Sequence, residues 1–147
     1  MRRVSRRLAA DERGAAAVEF ALIAPLLFML IFGIFEFGRV WSQKNVYVGA
    51  AREGARYASV NCEAVTPTTG ACADASGPWG KVRQRITSSA VGYPVSFENF
   101  SVTPSTGCVT AGGQIRVGWV QDMRVDIPFV GAITMNNVPI EAVFRCE

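Results

Sequence analysis

The stretch GAAAVEFALIAPLLFMLIFGIF, residues 14–35, decides how the rest of the chain is read. From Ala15 to Phe35 it runs 21 residues with a single charge, Glu19. As an α-helix it is about 31 Å long, matching a bilayer hydrocarbon core of about 30 Å. A cleavable secretory signal has a shorter apolar region, about 7–15 residues, with a small-residue cut site after it. Here the block is longer and the cleavage-like signal comes before it. A retained single membrane span over residues 15–36 is therefore expected. Pro25 removes one helical hydrogen bond and predicts a kink about one turn below, which membrane helices accommodate when neighbours satisfy the freed carbonyl. Gly33 and Gly38 loosen the outer end, and Glu36, Arg39 and Trp41 mark the interface where charged heads and aromatic rings sit.

Charge sets the expected orientation. Residues 1–14 carry Arg2, Arg3, Arg6, Arg7 and Arg13 against Asp11 and Glu12, and this segment holds the whole net charge of +3. The remaining residues carry ten basic and ten acidic groups and balance. A basic leader beside a span stays cytoplasmic, so the C-terminal part is expected on the other side of the membrane. A balanced body has no basic face for nucleic acid.

Beyond the span the helical spacing continues. Val46, Ala50, Ala51, Gly54 and Ala58 recur three and four residues apart with no proline between Trp41 and Val60. Residues 37–61 are read as an outer continuation of the same helix, its small-residue face packed on a domain over residues 62–147. Cys62 to Gly77 reads as a loop, and Pro78 to Val91 as a short amphipathic helix. Val95 to Val102 reads as a strand with Phe97 and Phe100 on opposite faces. After the Gly112-Gly113 turn, Ile115, Val117, Trp119, Met123, Val125 and Ile127 alternate, with Gln121 the one polar member of that face. This predicts a long bent strand, or two strands broken near Gln121-Asp122. Asn136-Asn137 reads as a turn, followed by a final strand through Ile140, Ala142, Phe144 and Cys146. The expected fold is α+β: a long N-terminal transmembrane helix entering a small extracytoplasmic domain with an antiparallel sheet.

Four cysteines, Cys62, Cys72, Cys108 and Cys146, all follow the span. An even count on an exported segment reads as two disulfides, with three connectivities open. The short loop favours Cys62–Cys72, with Cys108–Cys146 tying the chain end to the domain.

The segment Gly14-Ala15-Ala16-Ala17-Val18-Glu19-Phe20 is similar to a type IV prepilin processing site, with the cut between Gly14 and Ala15. Glycine before the cut lets backbone approach a peptidase closely. Because the cut precedes the apolar block, the anchor survives. A carboxylate within a span is unfavourable by roughly 2.5–3.5 kcal/mol at the centre, less near the edge, so Glu19 needs a partner. The new α-amino group of Ala15, on this chain or a neighbour, is mostly protonated at neutral pH and supplies one.

GAAAVEFALIAPLLFMLIFGIFEFGR, Gly14 to Arg39, resembles the N-terminal signature of the TadE-like family, pseudopilins of tight-adherence (Tad) pilus systems. AAREGARYA, Ala50 to Ala58, is similar to that family's second block, and PIEAVFRCE, Pro139 to Glu147, to its closing strand. The TadF-like group shares the layout. The resemblance implies processing by a prepilin peptidase, with Gly14 and Ala15 flanking the cut and Glu19 and Phe20 as the mature signature. It implies Arg52, Glu53, Gly54 and Arg56 as the second block, inner-membrane anchoring, and a minor-pseudopilin role in Flp pilus assembly or adhesion. Its partners would be other pilins and pseudopilins and the Tad inner-membrane assembly components.

Enzymatic chemistry finds little support. With no histidine there is no Ser-His-Asp or Cys-His arrangement, and no Cys-x-x-Cys pair or Gly-rich phosphate loop occurs. Asp122 and Asp126 fall on the polar face of a strand. No catalytic residue, metal site, cofactor or small-molecule substrate is expected. The competing reading is a tethered extracytoplasmic binding module, not processed as a pilin, with Trp79, Trp119 and Phe97 lining a groove.

Overall fold

The structure, a computed structural model, describes the backbone of residues 4–62, 72–127 and 131–147, and the side chains of these from Gly14 onward. One helix, α1 (Val4–Asn61), accounts for the N-terminal part and continues through Pro25. It starts eleven residues before the expected Ala15. The basic segment lacks an apolar period, but its Arg, Leu, Ala and Glu are good helix formers, and propensity extends the helix without packing.

The two halves of α1 differ in environment. Leu22, Leu26, Ile34 and Phe35 are exposed, each with well over half its surface open. No residue in the apolar window is buried, so this is not the core helix of a soluble domain. From Tyr47 onward one face closes: Tyr47, Ala50, Ala51, Ala55 and Ala58 are buried at helical spacing. Small side chains here let α1 approach a second helix, α2 (Gly80–Ser89), which falls within the expected Pro78–Val91. A Cβ on Gly54 would meet Ile86 Cγ1 at 2.5 Å, so only glycine permits this crossing without displacement.

Three strands complete the domain: β1 (Glu98–Thr103), β2 (Gln114–Ile127) and β3 (Gly131–Arg145), antiparallel in the order β1-β2-β3. Ile115, Val117, Trp119 and Met123 point inward from β2, and Ile140 and Ala142 from β3, toward α1, in one core cluster with Val82 and Ile86 of α2. Gln121, the polar member of the inward face, is buried but accepts from the Ser96 N–H at 3.1 Å, which removes the cost of its burial.

Two expectations need correction. Phe97 and Phe100 do not lie apart on opposite faces: their rings meet edge-on, 5.5 Å between centroids. Phe97 and Asn99 have positive φ, and the β1–β2 register shifts between Glu98 and Ser101, so alternation fails locally. Asn136-Asn137 is not a turn but lies inside β3. Gln121 pairs with Val138 and Met123 with Met135, leaving Asp122 opposite both asparagines. This is a β-bulge. Asn137 takes φ 58°, and its N–H donates to Asp122 Oδ1 at 2.9 Å. The extra residue lies in β3, and β2 runs past it as one strand, so β2 is not broken near Gln121-Asp122.

Disulfides join Cys62 to Cys72 and Cys108 to Cys146, with Cα separations of 5.4 and 5.6 Å. They sit together, because the Cys108 N–H donates to the Cys62 carbonyl at 3.0 Å. Cys146 is held through the Gly112 N–H and the Gly113 carbonyl just ahead of β2. The C-terminal end of α1, the start of β2 and the end of β3 are thus gathered at one pole. Further back along α1, the Tyr47 hydroxyl donates to the Pro94 carbonyl at 2.9 Å, and nearby Ser96 bonds Gln121 and Val120. β2 therefore runs back along α1, toward its exposed half. Of the Cys62–Gly77 loop, residues 63–71 lie outside the described residues.

Candidate functional site

Gly14, Ala15, Glu19 and Phe20 all lie on the uncovered part of α1. Gly14 is helical, and a Cβ there would meet nothing within 4 Å. Its glycine is thus not required by packing in this conformation. Ala15 and Glu19 are one helical turn apart on the same face, a spacing that brings Cβ atoms to about 5–6 Å. An amine created at Ala15 would lie within reach of the Glu19 carboxylate. Among the described residues Glu19 has no hydrogen-bond or ion-pair partner. Phe20 is 67% exposed.

The second block has a packing explanation. Ala50, Ala51, Ala55 and Ala58 face the core and Gly54 meets α2. Arg52 and Arg56 point outward, and Glu53 bridges the helices: Arg85 Nη2 on α2 lies 2.8 Å from its Oε1, and Arg56 Nη1 3.9 Å from its Oε2. The longer of the two is an i,i+3 pair of the kind sequence spacing allows, whereas the shorter one joins two elements.

Where α1 leaves the domain, Glu36 and Arg39 pair at 3.8 Å and Phe37 stacks on Trp41 at 6.2 Å between centroids. Glu36 is mostly covered, with 21% of its side chain exposed, and its Oε2 is buried without a partner among the described residues.

The chemical alternatives are weakened by placement. Trp79 and Trp119 are buried in the core, and Phe97 packs on Trp119 at 5.9 Å, so these aromatics line no groove. Asp122 is committed to the bulge and Asp126 to Arg124 at 2.8 Å. Among the described residues no cluster of His, Cys, Asp or Glu is placed to hold a metal ion.

The chain is therefore an α+β protein with a candidate membrane span, whose helix enters a disulfide-stapled domain with a three-stranded antiparallel sheet. Residues 14–56 match the family model described as TadE-like protein, so the long helix of this chain is similar to that family from Gly14 to Arg56. The match ends before α2 and the sheet. No curated protein and no solved structure matches the chain significantly.

Proposed function

We propose that this chain is a minor pseudopilin of a Tad/Flp pilus system. It is anchored by residues 15–36 in a bacterial inner membrane with its N-terminus cytoplasmic, and a prepilin peptidase cuts it between Gly14 and Ala15. The observation that carries this is the order along one unbroken helix: glycine, a short run of alanine, a glutamate one turn on with no partner among the described residues, then uncovered apolar surface leading into a folded domain. Two disulfides in that domain favour an oxidising compartment.

After cleavage the Ala15 ammonium neutralises a Glu19 carboxylate, on the same chain or on a packed neighbour. An intermolecular pair would set the axial stagger between anchors, because any other stagger leaves two charges unpaired in hydrocarbon. The domain supplies the surface for other pilins, pseudopilins and assembly components, and a role in assembly or adhesion follows from that placement.

Mass spectrometry of protein extracted from membranes that contain the active peptidase tests the reading. The expected N-terminus is Ala15. A chain that retains residues 1–14 under those conditions removes the pilus assignment and leaves a tethered domain. Gly14→Leu is expected to accumulate as uncut precursor, and normal cutting of that variant would place the site elsewhere.

A further inference from the structure

We infer that the free end of the β2–β3 hairpin is a second membrane-contact element, resting in the lipid interface beside α1. This rests on the anchor proposed above.

The case starts from direction. β2 leaves the disulfide pole beside Cys62 and has reached the level of Tyr47 by Gln121, through the Tyr47–Pro94 and Ser96–Gln121 hydrogen bonds. The two paths agree in length: fifteen helical residues from Tyr47 to Cys62 and seven strand residues from Gln114 to Gln121 each cover about 23 Å. Beyond Gln121 the hairpin continues for six more residues to Ile127 before β3 returns from Gly131. Those six span roughly 20 Å of strand, less after the bulge and twist, and about 15–20 Å along α1 corresponds to 10–13 helical residues. The hairpin end thus comes level with residues 34–37, where the apolar block meets Glu36. Val40, on the stripe that continues Tyr47 and Gln43 toward Glu36, is already packed against the core.

The second part is surface chemistry. Met123 is buried, and regular pairing from Met123 to Ile127 keeps Val125 and Ile127 on its face, with Met135 and Ile133 opposite Met123 and Val125. This apolar face does not end with the core: Ile133 is 49% and Met135 38% exposed, and Val125 and Ile127 are half-buried. The opposite face carries Arg124 paired with Asp126, as water requires. A two-stranded arm with one bare apolar face is marginal in water. At the level of an anchor's exit it has an apolar medium beside it. The committed occupant is lipid at the headgroup–acyl boundary, the depth at which amphipathic surface elements bury about 5–10 Å.

Site-directed spin labels on the full-length protein in phosphatidylethanolamine/phosphatidylglycerol liposomes test this. Labels go at Ile133→Cys and, should that variant not fold, Val125→Cys. Phe28→Cys serves as the anchor control and Glu98→Cys as the water control, with native disulfides verified by non-reducing peptide mapping. The expected result is severalfold higher oxygen than nickel-chelate accessibility at 133 or 125, relative to 98 and approaching 28. Water-like accessibility at 133 and 125 with lipid-like accessibility at 28 overturns the hairpin contact and leaves the anchor standing. Exclusion of both reagents at 133 and 125 means a protein covers the face, and also overturns it. Water-like accessibility at 28 sinks the anchor reading, and the hairpin contact with it.

Discussion

At the scale of single residues, two glycines of α1 less than two turns apart have opposite reasons to be glycine. Gly54 lies against Ile86, where an added methyl meets Cγ1 and Cδ1 at 2.5 and 2.8 Å. Gly49 faces open space. Gly54→Ala is expected to destabilise the domain by about 1–3 kcal/mol through overpacking. Gly49→Ala should stabilise it by about 0.5–1 kcal/mol, because alanine loses less backbone entropy in a helix. Thermal unfolding of the two variants in detergent checks the sign: equal effects would mean that α1 and α2 do not approach as described. Tyr47→Phe removes the hydroxyl that donates to Pro94 and should cost about 0.5–1.5 kcal/mol in the same measurement. Glu53→Gln should cost less than about 1 kcal/mol, an effect that shrinks with added salt, because its arginine partners are largely solvated.

Among the elements, the disulfides differ in what they close. Cys62–Cys72 spans 10 residues and Cys108–Cys146 spans 38. On the chain-entropy estimate these are worth about 2.7 and 3.9 kcal/mol, so replacing the second pair with serine should lower stability more than replacing the first. Chemical denaturation of the two double variants gives the ranking. The helices and β2 were legible because their signals are periodic: a helical spacing of small residues from Val46 to Ala58 and an alternation from Ile115 to Ile127. The failures fall where one residue breaks the period. Positive φ at Phe97 and Asn99 re-aims two phenylalanines, which alternation alone cannot foresee. Asn136-Asn137 carries the chemistry of a turn because a bulge needs the same left-handed φ. Only the pairing across Asp122 separates the two outcomes. Of the candidate site, the order from Gly14 to Phe20 is legible as a linear motif. The Glu53–Arg85 contact and the bare hairpin face are not, since both depend on which elements meet.

For the whole molecule, the separation between an uncovered half-helix and a stapled domain predicts how the chain divides. A version starting at Arg39 keeps the entire buried face of α1 together with α2, the sheet and both disulfides. It should unfold cooperatively, in detergent that covers the bare hairpin face, as circular dichroism would show. Loss of a cooperative transition with both disulfides intact would mean the exposed half contributes to the fold.

The continuity of α1 from Gly14 to the domain has a rotational consequence. An α-helix turns by about 100° per residue, so whatever grips the Glu19 end also dictates the compass bearing of the domain at the far end, as a shaft fixes the angle of its crank. One extra alanine inserted near Gly38 would swing the domain by about 100° about the helix axis, whereas seven would return it to within about 20° of its original heading. A pilus system that tolerates the seven-residue insertion but rejects the single one would be reading the direction in which this domain points, not merely its height above the membrane.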